Sequence, residues 1–311
     1  MHSTFQLELP LKALFELPTI ASLSDRIEEA RQDKQGLQIV PLLAIPRNKE
    51  LQLSLNQERI WFVGEQVVHE NYYYYTPTVV RFKADLNLDA LERSCKDIVQ
   101  RHEALRTNFS IVDGQPKPAI AQSLDVNLSV LDLRDLPKNE LEAKVIEITS
   151  EDVKRPFDLA NEPLLRTSLL QLDELEYSLT IVVHQNAFDA WSRNVLMREL
   201  RILYQAFSTG KPSPLTELPI QYADFVHWQK QSLSEEVLEA KLIYWKQRLS
   251  GSLPVLNLPT DYPRPPVKTF RGSNQSVIFS KKFTKVLREL SKQEEVSMFM
   301  MILAAYQTLL Y

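Results

Sequence analysis

The sequence predicts a layered α/β fold, on two observations. Strand-like segments at 73–82, 164–172 and 177–184 alternate with segments of helical period at 88–102, 141–153 and 195–207. Between them, Asp113-Gly114 joins two short strand-like runs, 107–112 and 117–121, as a hairpin turn does. Strands separated by helices, with hairpins mixed in, bury their apolar faces by stacking helix layers on a sheet.

In chain order, residues 1–32 read as two short helices around Pro18, with Thr19 capping the second and Ile20, Leu23 and Ile27 on its apolar face. Residues 33–52 carry Gly36, Pro41, Pro46, Arg47 and Asn48 and read as a polar linker. Residues 54–64 read as a helix carrying Trp61 and Phe62, and 88–102 as a helix with Leu91, Ile98 and Val99 inward. Segments 164–172 and 177–184 read as paired strands, and 235–249 as a helix. A proline-rich loop fills 251–275; a short strand at 277–279 and helices at 284–293 and 297–310 follow. Both ends read as cut, the second inside the apolar run Leu309-Leu310-Tyr311, so a fragment of a longer polypeptide is expected.

Composition narrows the function classes. Hydrophobic residues at 44% and charged residues at 24% are those of a soluble globular chain. A net charge of −4 supplies no basic field for nucleic acid and no polybasic membrane contact. Apolar runs such as 181–183 and 298–305 are far too short to span a bilayer. One cysteine, Cys95, forms no internal disulfide, which fits a reducing cytoplasm. The six glycines form no phosphate-binding loop and the five histidines show no metal-ligand spacing, so neither a bound cofactor nor a metal is expected.

Several segments together resemble the ordered motifs of the condensation domains of nonribosomal peptide synthetases. Ser54-Leu55-Asn56-Gln57-Glu58-Arg59-Ile60-Trp61-Phe62 resembles the opening motif, and Arg101-His102-Glu103-Ala104-Leu105-Arg106-Thr107-Asn108-Phe109 the second. Phe157-Asp158-Leu159 with Pro163-Leu164-Leu165-Arg166, then Tyr222-Ala223-Asp224-Phe225 with Trp228, then Tyr244-Trp245 and Leu258-Pro259-Thr260-Asp261, follow in the family's order. Residues 1–32 resemble the closing part of a peptidyl carrier domain, without its phosphopantetheine serine. The resemblance implies a chloramphenicol-acetyltransferase-like pair of lobes, with 53–275 as the N-terminal lobe and 276–311 as the start of a second lobe that is mostly missing. It implies amide formation between a donor thioester and an acceptor amine, both carried on 4′-phosphopantetheine arms. The implied partners are donor and acceptor carrier domains and an adjacent adenylation domain.

The family's active-site motif, His-His-x-x-x-Asp-Gly followed by Trp-Ser, reads here His184-Gln185-Asn186-Ala187-Phe188-Asp189-Ala190-Trp191-Ser192. Gln185 stands where the resemblance implies the amine-handling histidine, and Ala190 where it implies glycine. Histidine accepts a proton near neutrality; a glutamine amide hydrogen-bonds an amine but takes no proton from it. Strand alternation puts Leu179, Ile181, Val183 and Gln185 on one face and His184 on the other, so His184 reads as a satisfied core histidine. Asp189 reads as a buried ion-pair partner of Arg106, or failing that of Arg59. His102 reads as a cap or packing residue. Trp61, Phe62, Trp191, Trp228 and Trp245 read as core or lobe-interface packing, Ser192 as part of the site's frame, and Tyr72 to Tyr75 as a sheet-edge surface or channel lining. Two functions stand side by side: a weakened amide-forming condensation enzyme, and a catalytically silent relative that docks carriers or partner enzymes.

Overall fold

The structure is a computed structural model and describes residues 17, 19–32, 41–48, 50–66, 75–263, 265–266 and 275–311. The helix expected before Pro18, Pro18 itself and Tyr72 to Tyr74 lie outside the described residues. Helix α1, Ile20–Gln32, begins as expected at Thr19, whose hydroxyl accepts the Ser22 amide at 3.1 Å.

Two compact units divide at Lys241/Leu242. The first holds α2 (Leu55–Gln66), β1 (Tyr75–Lys83), α3 (Leu88–Arg101), a 3-10 turn (Glu103–Arg106), β2 (Thr107–Val112) and β3 (Gln115–Ile120). It continues with β4 (Leu128–Asp132), α4 (Lys138–Lys154), β5 (Leu165–Gln171), β6 (Glu176–His184), α5 (Ala190–Ser208) and α6 (Tyr222–Ser232). The division falls inside α7, Glu235–Arg248.

A four-stranded sheet of order β1-β6-β5-β4 carries the first unit; its pairs are antiparallel except β4 with β5. The central strands β5 and β6 are buried along nearly their whole length, because helices cover both faces. On one face Leu165, Leu169, Leu179, Ile181 and Val183 pack against Leu91, Cys95, Ile98 and Val99 of α3 and Leu196, Leu200 and Leu203 of α5. On the other, Leu170 and Leu172 pack beneath Leu141, Val145 and Ile148 of α4, while Val182 meets Tyr75 and Phe157. Each fully buried leucine or isoleucine contributes about 1.5–3 kcal/mol.

Local sequence explains the elements around it. Asn87 caps α3 by accepting the Ala90 amide at 2.9 Å, and the buried positions 90, 91, 94, 95, 98 and 99 repeat at helical period. Asp113 (φ 53°) and Gly114 (φ 73°) make the expected β2–β3 hairpin with both central residues left-handed, the type I′ arrangement. β3 carries Pro116 and Pro118, which a two-stranded ribbon tolerates because one edge needs no donors. The strand expected at 277–279 is not formed, and 275–280 carry no regular secondary structure. In the second unit, Ser280 and Ser297 cap α8 (Lys281–Gln293) and α9 (Met298–Leu310). No helix among the described residues is long and apolar enough to cross a membrane.

Candidate active site at the strand-to-helix turn

β6 ends at His184, and six residues later the chain enters α5. His184 is 3% exposed and its ring lies against Tyr75 and Phe157, on the sheet face opposite Leu179, Ile181 and Val183. Its Nδ1 accepts the Asn186 amide at 3.1 Å, which leaves the proton of the neutral ring on Nε2. Burial disfavours the imidazolium and pushes the pKa down to about 4. The wall behind the ring comes from the 157–166 segment. There Arg166 sits 4.3 Å over the Phe157 ring and donates to the carbonyls of Asp152 (3.0 Å) and Arg155 (2.7 Å), closing the end of α4. A buried neutral ring whose one lone pair is occupied takes no proton from a substrate.

His184 binds a proton near pH 6.5 when unfolded and near 4 when folded, so its contribution to stability is complete above about 6.5 and is lost as pH falls toward 4. At 1.36 kcal/mol per pKa unit the loss is about 3 kcal/mol. Urea unfolding of the wild-type chain and His184→Gln between pH 7.5 and 4 should show their stabilities converging by that amount; parallel curves would contradict it.

Gln185 is half-buried in the turn, and among the described residues its side-chain amide has no hydrogen-bond partner. Asp189 corrects an expectation. It is exposed and pairs with neither Arg106 nor Arg59; instead its carboxylate caps α5, accepting the Ser192 amide (2.8 Å) and hydroxyl (2.7 Å). These Ser192 bonds, first the hydroxyl and then the amide, hold its pKa below the ordinary carboxylate value. Ala190 is the first helical residue of α5 and has no left-handed backbone, so a methyl group in place of glycine costs no strain. Asp189→Ala should cost about 0.5–2 kcal/mol as a lost cap, and Asp189→Asn much less; equal losses in denaturant titrations would favour a charge role instead.

The other expected site residues frame the turn at a distance. His102 ends α3 and its Nε2 lies 2.7 Å from Oε2 of buried Glu199 on α5. Arg106 donates to the carbonyls of Ala121 and, at 3.3 Å, Gln100, tying α3 to the hairpin. Among the described residues Arg59 reaches only Asn56, at 3.0 Å, on the surface of α2. Trp191, Trp245 and Phe62 are exposed within their own units at 78%, 55% and 56%, so none of them is core there. A hollow of about 130 Å³ beside the turn is lined by Trp191, Phe188, Ala187, His102, Ser192 and neighbouring apolar residues. No group of three or more His, Cys, Asp or Glu among the described residues is arranged to hold a metal.

Sequence reasoning missed three residues. Gln57 (4% exposed) donates from Nε2 to the Asn186 carbonyl at 3.1 Å. Asp224 on α6, 1% exposed, accepts from the Ile45 amide (2.9 Å), the Gln221 amide (2.7 Å) and both Nη atoms of Arg47 (2.6 and 3.0 Å). Ile45 and Arg47, within the expected linker, are therefore tied to α6 of the first unit. Gln57 and Asp224 were legible only as motif letters and Arg47 only as a linker residue, because their partners lie more than 100 residues away.

Residues 47–311 match the condensation domain family, and the chain belongs to it. Among curated proteins it is similar to a component of the linear gramicidin synthase of Brevibacillus parabrevis, 40% identical over 311 residues, covering 100% of this chain and 4% of that protein. It is also similar to malpibaldin synthetase of Mortierella alpina, 37% identical, covering 99% of this chain and 6% of the relative. The chain thus spans a small fraction of the length of the curated relatives it matches. Among solved structures it resembles the X-domain in its complex with OxyB from teicoplanin biosynthesis (TM-score 0.68, 25% identity, 83% of this chain and 56% of that one). It also resembles SgcC5 from Streptomyces globisporus (TM-score 0.62, 29% identity, 83% and 59%).

Proposed function

We propose that this chain is part of an amide-forming condensation domain of a cytoplasmic nonribosomal peptide synthetase, working on substrates held by the phosphopantetheine arms of donor and acceptor carrier domains. In this reading residues 1–32 are the end of a carrier domain, 53–275 the N-terminal lobe and 276–311 the opening of the second, with an adenylation domain beside them. The observation that supports it most is the turn itself. Residue 185 is held between a buried, neutral His184 and a capped α5, with a side-chain amide that has no partner among the described residues. Such an amide accepts a hydrogen bond from an incoming amine and orients it, while proton removal is left to water or a second amine. A weakened, orientation-only site follows.

Mixing the synthetase that carries this chain with a donor-loaded and an acceptor-loaded carrier, then weighing the carriers by mass spectrometry, tests the reading. Dipeptidyl carrier above the enzyme-free background supports amide formation. No product, with both carriers still bound, favours the second reading, a silent docking domain; Gln185 and the likeness to an X-domain solved with another protein on it argue for that one.

A further inference from the structure

We infer that Gln57 is a positioning residue for the turn that carries residue 185. This rests on the amide-forming reading, and it concerns a different helix from the active-site motif. Ser54 precedes α2, and the two residues bond reciprocally: the Gln57 amide donates to Ser54 Oγ (3.1 Å), and Gln57 Oε1 accepts the Ser54 amide (3.0 Å). This is a capping box, whose usual role ends with the helix terminus. Here Gln57 Nε2 is left over, and it donates across to the Asn186 carbonyl, one residue beyond Gln185. Tyr222 of α6 donates to Ser54 Oγ at 2.9 Å and holds the box from behind. Ser54, Gln57 and Asn186 are all buried, at 1%, 4% and 3% exposed.

The chemistry requires an amide at position 57. One oxygen must accept from a backbone N–H while one nitrogen donates to a backbone carbonyl; a carboxylate supplies only the first. The Asn186 side chain offers the turn no anchor, since its own Oδ1 and Nδ2 have no partner among the described residues. The Gln57 bond and the His184 bond to the Asn186 amide are therefore the two ties on the residue that follows Gln185. Loss of the first leaves a buried carbonyl without its donor and frees the peptide to rotate.

Gln57→Glu separates this role from plain helix capping, because the substituted carboxylate keeps the acceptor for Ser54 and at neutral pH loses the donor to Asn186. The reporter is the Ala187 amide, on the same peptide as the Asn186 carbonyl, which donates to the His184 carbonyl at 3.0 Å. In the 311-residue chain, hydrogen exchange at this amide should quicken roughly tenfold or more at pH 7, while the amides of Cys95 to Val99 keep their protection. Relative to wild type at each pH, protection should return as acid protonates the substituted carboxylate and restores a donor. Unchanged exchange at Ala187, or a uniform loss across the unit, would overturn the assignment. In the synthetase, the same variant should lower kcat roughly 10- to 100-fold with KM unchanged; a raised KM with unchanged kcat would count against it. If the unaltered synthetase makes no amide, the functional reading fails, and the exchange experiment alone decides whether Gln57 holds the turn.

Discussion

Under the proposed function, replacing Gln185 with histidine in the full synthetase should raise the rate of amide formation by roughly 10²–10⁴-fold, the usual contribution of a positioned general base. That factor equals about 3–5 kcal/mol of barrier. It is available because, among the described residues, no other group in the turn is a base matched to neutral pH. The Nδ1 of His184 is occupied and its ring is buried, and the Ser192 bonds to Asp189 Oδ1 hold that carboxylate below its ordinary pKa. A histidine at 185 would begin on the sheet face opposite His184, half-buried, where an imidazole keeps a pKa within reach of neutrality. The variant's rate should therefore rise with pH through the region near 6.5, about the ordinary histidine value, whereas the wild-type rate should show no such limb. Equal rates would mean that the side chain at 185 only orients the amine, and a rate-limiting step elsewhere would appear as a variant rate insensitive to pH.

The sequence made the sheet and its two helix layers legible because period and burial agree there. Leu179, Ile181 and Val183 alternate with Val182 and His184, and the structure sends those two sets to opposite faces of the sheet. The Asp113-Gly114 hairpin was legible because only a turn with two left-handed residues favours that dipeptide. The missed elements lack such marks. β4, at 128–132, is a five-residue edge strand whose pairing partner lies about 40 residues on, and α6 carries polar and aromatic residues on every side. Asp189 was misread because an aspartate before a helix satisfies either an arginine or a helix N-terminus. The serine three residues later, the box pattern, was the available clue. Gln57 and Arg47 act across the fold, and local pattern carries no trace of that.

Arg47→Ala should destabilise the first unit by about 3–5 kcal/mol, the cost of leaving a buried charge without its partner. Asp224 is 1% exposed, and among the described residues Arg47 supplies both of its side-chain donors. Burial opposes ionisation of Asp224, but the Arg47 guanidinium and the amides of Ile45 and Gln221 outweigh it and hold the pKa below the ordinary value. The clamp is accordingly complete at neutral pH and fails only as pH falls through that lowered pKa, below about 3.8. Arg47 also donates to Glu103, so its removal strips a second carboxylate near the end of α3, where Gln221 bonds the Arg101 carbonyl and the Glu103 amide. Asp224→Asn should cost less, since Arg47 is 31% exposed and keeps Glu103 and water as partners. In the double variant the loss should fall short of the two single losses added together, by about 1–3 kcal/mol. Tryptophan fluorescence reports it directly, because Trp228 lies four residues beyond Asp224 on α6. Additive losses would show that residues 45–47 rest on α6 without being held by it, and the segment leading into the domain would then be a tether after all.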